Sequence, residues 1–176
     1  YGQLCNIWKI RKYLTTDATK QLVHALVTSK LDNCNSLLVN VPSTYLYKLQ
    51  LVQNNATRII YQVKSRDHIT PLLRELHWLP IESRIQYKIA LLIFKALNGE
   101  GPEYFKDIIS KYIPKRPLHS ENKMLINKPT ALPRMIYYGE RALMHAGPAI
   151  WNNAIDLVIK QSVNVVSFKK HLKTSL

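Results

Sequence analysis

The chain is expected to be mainly α: a helical bundle followed by a small C-terminal subdomain containing a β-hairpin. Three observations predict this. Apolar residues recur at three- and four-residue spacing through most of the first two-thirds. Helix signals bracket those stretches, with Thr70 placed to cap, Pro71 suited to a first helical position and Asn98-Gly99 suited to a stop. Beyond Gly99 the composition shifts, and Pro114, Pro117, Pro129 and Pro133 stand among Lys and Arg.

The elements follow in order. Thr15 or Thr16 can cap a helix starting at Asp17, whose charge suits a helix N-terminus. Leu22, Ala25, Leu26 and Ser29 continue it, and Asp32, Asn33 and Asn35 predict a kink or a new helix near residue 33. After a turn at Val41-Pro42-Ser43, the positions Tyr45, Leu49, Val52, Ala56, Ile59 and Val63 form the apolar seam of the longest amphipathic segment. Leu72, Leu73, Leu76 and Trp78 give a short helix that Pro80 ends. The next helix carries Ile81, Ile85, Ile89, Leu92 and Ala96 on one stripe, and is apolar all round from Ile89 to Phe94, which predicts burial on every side there. Pro102 opens a short helix through Ile109. Met124 to Asn127 and Arg134 to Tyr138 are β-compatible runs on either side of a Pro-Thr-Ala-Leu-Pro turn. Glu140 to Trp151 is expected to be helical with a break at Gly147-Pro148, and Val166 to Ser175 to close the chain as a helix. These readings divide the chain into a helical region 1–112, a Pro-rich basic connector 113–133 and a small C-terminal subdomain 134–176.

Charge narrows the function classes. Against 11 Asp and Glu stand 25 Lys and Arg, a net charge of +14. Both halves of the sequence share that excess, so the positive charge belongs to the folded body rather than to a tail. Such a surface favours polyanions, nucleic acid first, through counterion release. A basic surface also serves solubility alone. Cys5 and Cys34 are the two cysteines, 29 residues apart, which fits a reduced intracellular protein and makes no zinc knuckle. His68 and His77, nine residues apart, fall on different faces, and no metal site is expected. The longest fully apolar run, Ile89 to Phe94, is far short of the roughly 20 residues that a membrane span needs. No membrane association is expected.

No catalytic site is expected either. Two-metal polymerases and nucleases require clustered carboxylates, whereas Asp17, Asp32, Asp67, Asp107 and Asp156 are scattered without one Asp-Asp pair. The better functional signal is a polar stripe on the long helix, Gln50, Asn54, Arg58 and Tyr61, opposite its apolar seam. Amide, guanidinium and phenol groups on one face suit phosphate, ribose and base contacts. The same stripe also fits a solvated face or polar contacts to another helix. The pairs Arg11-Lys12, Lys115-Arg116 and Lys169-Lys170 offer diffuse positive charge for phosphates. Trp78 and Trp151 stand among apolar residues and are read as core, as His77 is read as helix packing, while Trp8 is undecided.

Several longer strings carry a family likeness. Asp67 to Gly99, DHITPLLRELHWLPIESRIQYKIALLIFKALNG, strongly resembles the region after the polymerase domain in jockey-superfamily non-LTR (LINE-type) retrotransposons of the chicken-repeat type. Ile10 to Leu14, Leu22 to Leu38, Leu49 to Asn54, Tyr138 to Ala142, Pro148 to Asn152 and Phe168 to Lys173 are similar to further family segments in the same order. The chain departs from the family at Asn33, where tyrosine is usual, and at Asn153-Ala154-Ile155, where Ser-Leu-Pro is usual. Tyr1 is no initiator, so a longer chain is expected upstream, whereas the C-terminus looks natural.

The resemblance implies a non-catalytic, thumb-like and C-terminal fragment of an RNA-directed DNA polymerase. It would grip RNA template, RNA–DNA hybrid or target DNA in target-primed reverse transcription. The site residues assigned to that task are Gln50, Asn54, Arg58, Tyr61, Lys115 and Arg116. The fragment is expected to have no polymerase activity and no cofactor of its own, Mg²⁺ belonging to the palm. Its expected partners are nucleic acid and the palm and fingers of the same polyprotein, in an intracellular, nuclear setting. The rival is a helical scaffold or protein-interaction segment with no nucleic-acid role, or a decayed copy of an element.

Overall fold

The computed structural model describes residues 1–114, 116, 123–129 and 142–176. It is mainly helical and divides into two compact units. Tyr1–Asn35 and Val41–Arg84 form the first; Ser36–Asn40 and Ile85–Leu176 form the second. The division thus falls at Arg84, within the long helix Ile81–Leu97, and the described residues of the Pro-rich connector 113–133 fall in the second unit.

In the first unit, α1 (Gly2–Ile10) leads through a 3₁₀ turn, Arg11–Tyr13, to α2 (Thr16–Val23). Thr15 is the cap that the sequence offers, its hydroxyl accepting from the Ala18 N–H at 3.2 Å. α2 continues through a wider π turn, His24–Thr28, which has no signature in the sequence, into α3 (Ser29–Asp32). Asn33 then turns to extended backbone and ends the run. The core forms where Leu4 and Ile7 of α1 meet Val23, Val27, Ala56 and Ile60, with Val52, Ile59, Leu76 and Trp78 partly buried around them.

The buried face of α4 (Ser43–Tyr61) is rotated from the expected seam. Tyr45 is exposed, Leu49, Val52 and Ile59 are half-buried, and Gln53, Ala56, Thr57 and Ile60 are buried instead. The two polar members are admitted because each has a partner. The Gln53 amide donates to the Leu79 carbonyl at 2.9 Å and the Thr57 hydroxyl to the Gln53 carbonyl at 3.1 Å. A buried polar group bonded in this way no longer opposes burial.

α5 (Thr70–Glu75) starts one residue earlier than expected: Ile69 occupies the cap, and Thr70 is already helical. Pro71 is still harmless, since N–H groups in the first turn have no helical acceptor. His77 is not packed between helices but exposed, with φ +54°. Its N–H bonds the Arg74 carbonyl at 2.9 Å and the Trp78 N–H bonds the Leu73 carbonyl at 2.8 Å, the pattern of a Schellman stop.

α6 (Ile81–Leu97) runs from the first unit into the second. In the second unit Ile85, Ile89, Ala90, Ile93 and Phe94 are buried, while Leu91 and Leu92 are only half-buried. Burial on every side is therefore corrected to a stripe in which Ile93, rather than Leu92, follows Ile89. Gly99, at φ +75°, closes the helix as expected. The expected helix from Pro102 shrinks to α7 (Phe105–Ile108).

Within the expected run Met124–Asn127, Met124 is left-handed at φ +48° and the β-pairing begins at Leu125, whose described partner is Ser110–Tyr112. Tyr112 N–H meets the Leu125 carbonyl and Asn127 N–H the Ser110 carbonyl, each at 2.9 Å, around an antiparallel Lys111–Ile126 bridge. The run Arg134–Tyr138 lies outside the described residues. α8 (Leu143–Ala154) passes through Gly147-Pro148 without the expected break. A Cβ on Gly147 would stand 3.3 Å from Ile93 Cδ1, so the glycine lets α8 lie close against α6. Pro148 forfeits one helical hydrogen bond in return for a buried ring. After the short α9 (Leu157–Lys160), α10 (Val165–Ser175) is capped by Asn164, whose side-chain oxygen accepts from the Ser167 N–H at 2.8 Å. Phe168 of α10 stacks on Phe94 at 4.1 Å and lies 6.0 Å from Trp151, which centres the second core.

Candidate nucleic-acid interface

The apolar spacing of α1 decides what faces outward near its C-terminus. Leu4, Ile7 and Arg11 lie three and four residues apart and turn inward, all three buried. One helical residue is about 100° of rotation. Trp8 is therefore carried off the core face, 68% exposed, and Lys9 and Lys12 are exposed beside it. Opposite them the C-terminal turns of α4 present Arg58, Ile59, Gln62 and Val63. Together these residues line an open groove of about 620 Å³ in the first unit. Four of the eight lining side chains are cationic and none is acidic.

The groove contains the C-terminal end of α4, where unsatisfied carbonyls would repel an anion. Arg11 removes that difficulty. Its Nε donates to the Ile59 carbonyl and an Nη2 hydrogen to the Ile60 carbonyl, each at 2.9 Å, and Nη1 donates to the Leu14 carbonyl at 2.7 Å. The guanidinium is a helix C-terminal cap rather than an open phosphate contact, so of the pair Arg11-Lys12 only Lys12 is left as diffuse charge for phosphates. Gln62, at φ +54°, closes the helix, and the Val63 N–H reaches the Arg58 carbonyl at 3.3 Å. Arg58 is half-buried, with Nη2 donating to the Ser65 carbonyl at 3.1 Å, Nη1 on Asn55 Oδ1 at 3.4 Å, and a buried Nε without a partner. The guanidinium thereby holds the loop after α4, and its positive charge lines the groove.

The four stripe residues separate. Gln50 gives its amide hydrogens to Gln53 Oε1 at 3.0 Å and Asn54 Oδ1 at 2.9 Å, while its Oε1 accepts from the Ile81 N–H at 2.9 Å. Gln50 and Asn54 thus form a polar network that satisfies the first N–H of α6. Arg58 alone of the four lines the groove. Tyr61 packs at the edge of the first core, and its hydroxyl is buried without a hydrogen bond. Desolvation, reinforced by the nearby Glu75 carboxylate, pushes its pKa from 10.0 up to about 12. Arg116 is exposed in the second unit, and Lys115 lies outside the described residues.

A raised tyrosine pKa favours the native state up to the unfolded value and loses that advantage as pH climbs through the native one. Stability should therefore fall between about pH 10 and pH 12 through Tyr61. Tyr61→Phe should remove this part of the alkaline loss. Denaturant unfolding at pH 7, 10 and 11.5 checks both statements. Identical alkaline slopes in the two proteins would show that Tyr61 is not the titrating group.

Lys9 and Trp8, the latter undecided from the sequence, are among the groove residues that the sequence alone does not select. Their signal was the Leu4–Ile7–Arg11 period, which places a Trp-Lys pair on the outer face. Among the described residues no three His, Cys, Asp or Glu side chains gather as a metal site, and no helix is long and apolar enough to cross a membrane. No family model matches the chain, and no curated protein or solved structure matches it.

Proposed function

We propose that the chain binds nucleic acid through the groove between the C-terminal ends of α1 and α4, as the non-catalytic, post-polymerase portion of a LINE-type reverse transcriptase. The observation that carries the binding reading is the lining itself: Lys9, Lys12 and Arg58, with Arg11 capping α4 behind them and no acidic side chain in the lining, beside an exposed tryptophan. The family assignment rests on the motifs of the sequence, from Asp67–Gly99 outward. In the parent protein the ligand would be RNA template, RNA–DNA hybrid or target DNA, and the fragment would supply grip while the palm supplies metal ions and chemistry. The scaffold reading has its own support, because Gln50 and Asn54 are spent on contacts within the fold. Lys9 and Lys12 are not so spent, and Arg58 is spent only in part.

Lys12→Glu should lower affinity for RNA at least tenfold, whereas Lys48→Glu, ten residues up α4 from Arg58 and roughly 15 Å away along its axis, should cost less than threefold. With about three phosphates neutralised, raising salt from about 50 to about 200 mM should weaken wild-type binding roughly 20- to 40-fold. Fluorescence anisotropy with labelled RNA reads both effects. Equal losses from the two variants would show diffuse attraction, and no binding by folded protein at low salt would leave the scaffold.

A further inference from the structure

We infer that the groove takes a single strand, with one unpaired base stacked on the Trp8 indole while its phosphates lie along Lys9, Lys12 and Arg58. The inference rests on the nucleic-acid reading above and names its substrate class. An indole left 68% exposed beside three lysine and arginine side chains is an unusual use of the largest apolar side chain. Its surface is not taken up elsewhere: among the described residues no ring or cation stacks on Trp8, although cations lie over Tyr13, Tyr45, Tyr61, Trp78 and Trp151. Tyr13, 77% exposed with Lys12 Nζ 4.8 Å from its ring centre, adds a second aromatic–cation pair that shares a lysine with the groove.

The physics favours a single strand over a duplex. In a duplex the base faces are already stacked on one another, and only phosphates and groove edges reach a flat indole. An unpaired base offers its whole face, and the flanking phosphates then fall to nearby cations, the combination of stacking platform and basic groove that holds single strands. Every base has such a face, so little dependence on base identity is expected. The rim of Ile59 and Val63 adds apolar surface for the base and the sugar edge without competing hydrogen bonds.

The test uses the full 176-residue chain and Trp8→Ala, Trp8→Phe and Lys9→Glu/Lys12→Glu variants, with fluorescein-labelled oligo(dT) and oligo(U) of about 12 nucleotides and a duplex of equal length. Trp8→Ala should lose roughly 5- to 150-fold in single-strand affinity, as expected for one stacked base. It should change duplex affinity less than twofold, and Trp8→Phe should recover most of the loss. Wild-type indole fluorescence should be quenched by oligo(dT), and the quench should disappear in Trp8→Phe. If Trp8→Ala binds the single strand as wild type does while the lysine double variant does not, the groove binds phosphates only and the stacking inference falls alone. A duplex bound as tightly as the single strand, or poly-glutamate displacing the oligonucleotide at equal charge concentration, also overturns it. Wild-type protein that binds neither nucleic acid removes the inference together with the nucleic-acid reading.

Discussion

Replacing Trp151 by alanine should lower unfolding free energy by about 3–5 kcal/mol, as large aromatic-to-alanine changes in packed cores do. Trp151 has no exposed surface, lies 6.0 Å from the Phe168 ring and has Lys160 Nζ 5.7 Å from its own ring centre. Its indole N–H also donates to the Met124 carbonyl at 2.8 Å. The adjoining Asn152 works on the same strand, its side-chain amide accepting from the Ile126 N–H at 3.1 Å and donating to the Ile126 carbonyl at 3.0 Å. The dipeptide therefore pins 124–126 to α8 as well as filling the core. Loss of the indole leaves a cavity, an unpaired carbonyl and a buried Lys160 whose ring contact is gone. Burial already holds that ammonium below its usual pKa, against the opposing effect of Asp156. Trp151→Phe should cost less, because part of the volume is kept, and Trp8→Ala should stay within about 0.5 kcal/mol as a surface change. Circular dichroism during urea unfolding reads all three. A loss below about 1 kcal/mol for Trp151→Ala would mean that Trp151 is not central to the second unit.

Such contrasts show which parts of the fold the sequence could announce. Thr15, Gly99 and the Ile81–Ile85–Ile89 period were legible because cap chemistry, left-handed glycine and helical spacing each leave a local mark. The stops at Gln62 and His77 were not. Both are left-handed without glycine, a conformation that side chains adopt only when hydrogen bonds and packing hold them there. The face of α4 was misjudged because hydropathy treats Gln53 and Thr57 as outward-facing. Their burial depends on a carbonyl 26 residues away and on a backbone oxygen one turn back. Gln50 shows the same limit at the candidate site. Its spacing with Asn54 and Arg58 was real, yet spacing cannot reveal that its oxygen meets the first N–H of another helix. The Gly147-Pro148 break was expected from local rules, and the close approach of Ile93 to Gly147 outweighed them.

Arg11 and Lys12 are adjacent and alike in charge, yet their substitution by methionine should have opposite consequences. Arg11→Met should destabilise the protein by on the order of 3 kcal/mol, because charge-assisted hydrogen bonds to carbonyls at the end of α4 are lost and the Ile60 acceptor stays buried. Methionine keeps much of the apolar volume, so the loss reports the guanidinium rather than a cavity. Lys12→Met should change stability by no more than about 0.5 kcal/mol, since its ammonium is exposed and its one ring contact, to Tyr13, is at the surface. In RNA binding the order reverses under conditions where both proteins are folded. Lys12→Met removes an open cation from the groove, while Arg11→Met removes one whose donors already point at backbone. Paired urea-unfolding and anisotropy measurements separate the two roles. If Arg11→Met is as mild as Lys12→Met in unfolding but the more damaging in binding, the guanidinium serves the ligand and the helix-capping role is wrong.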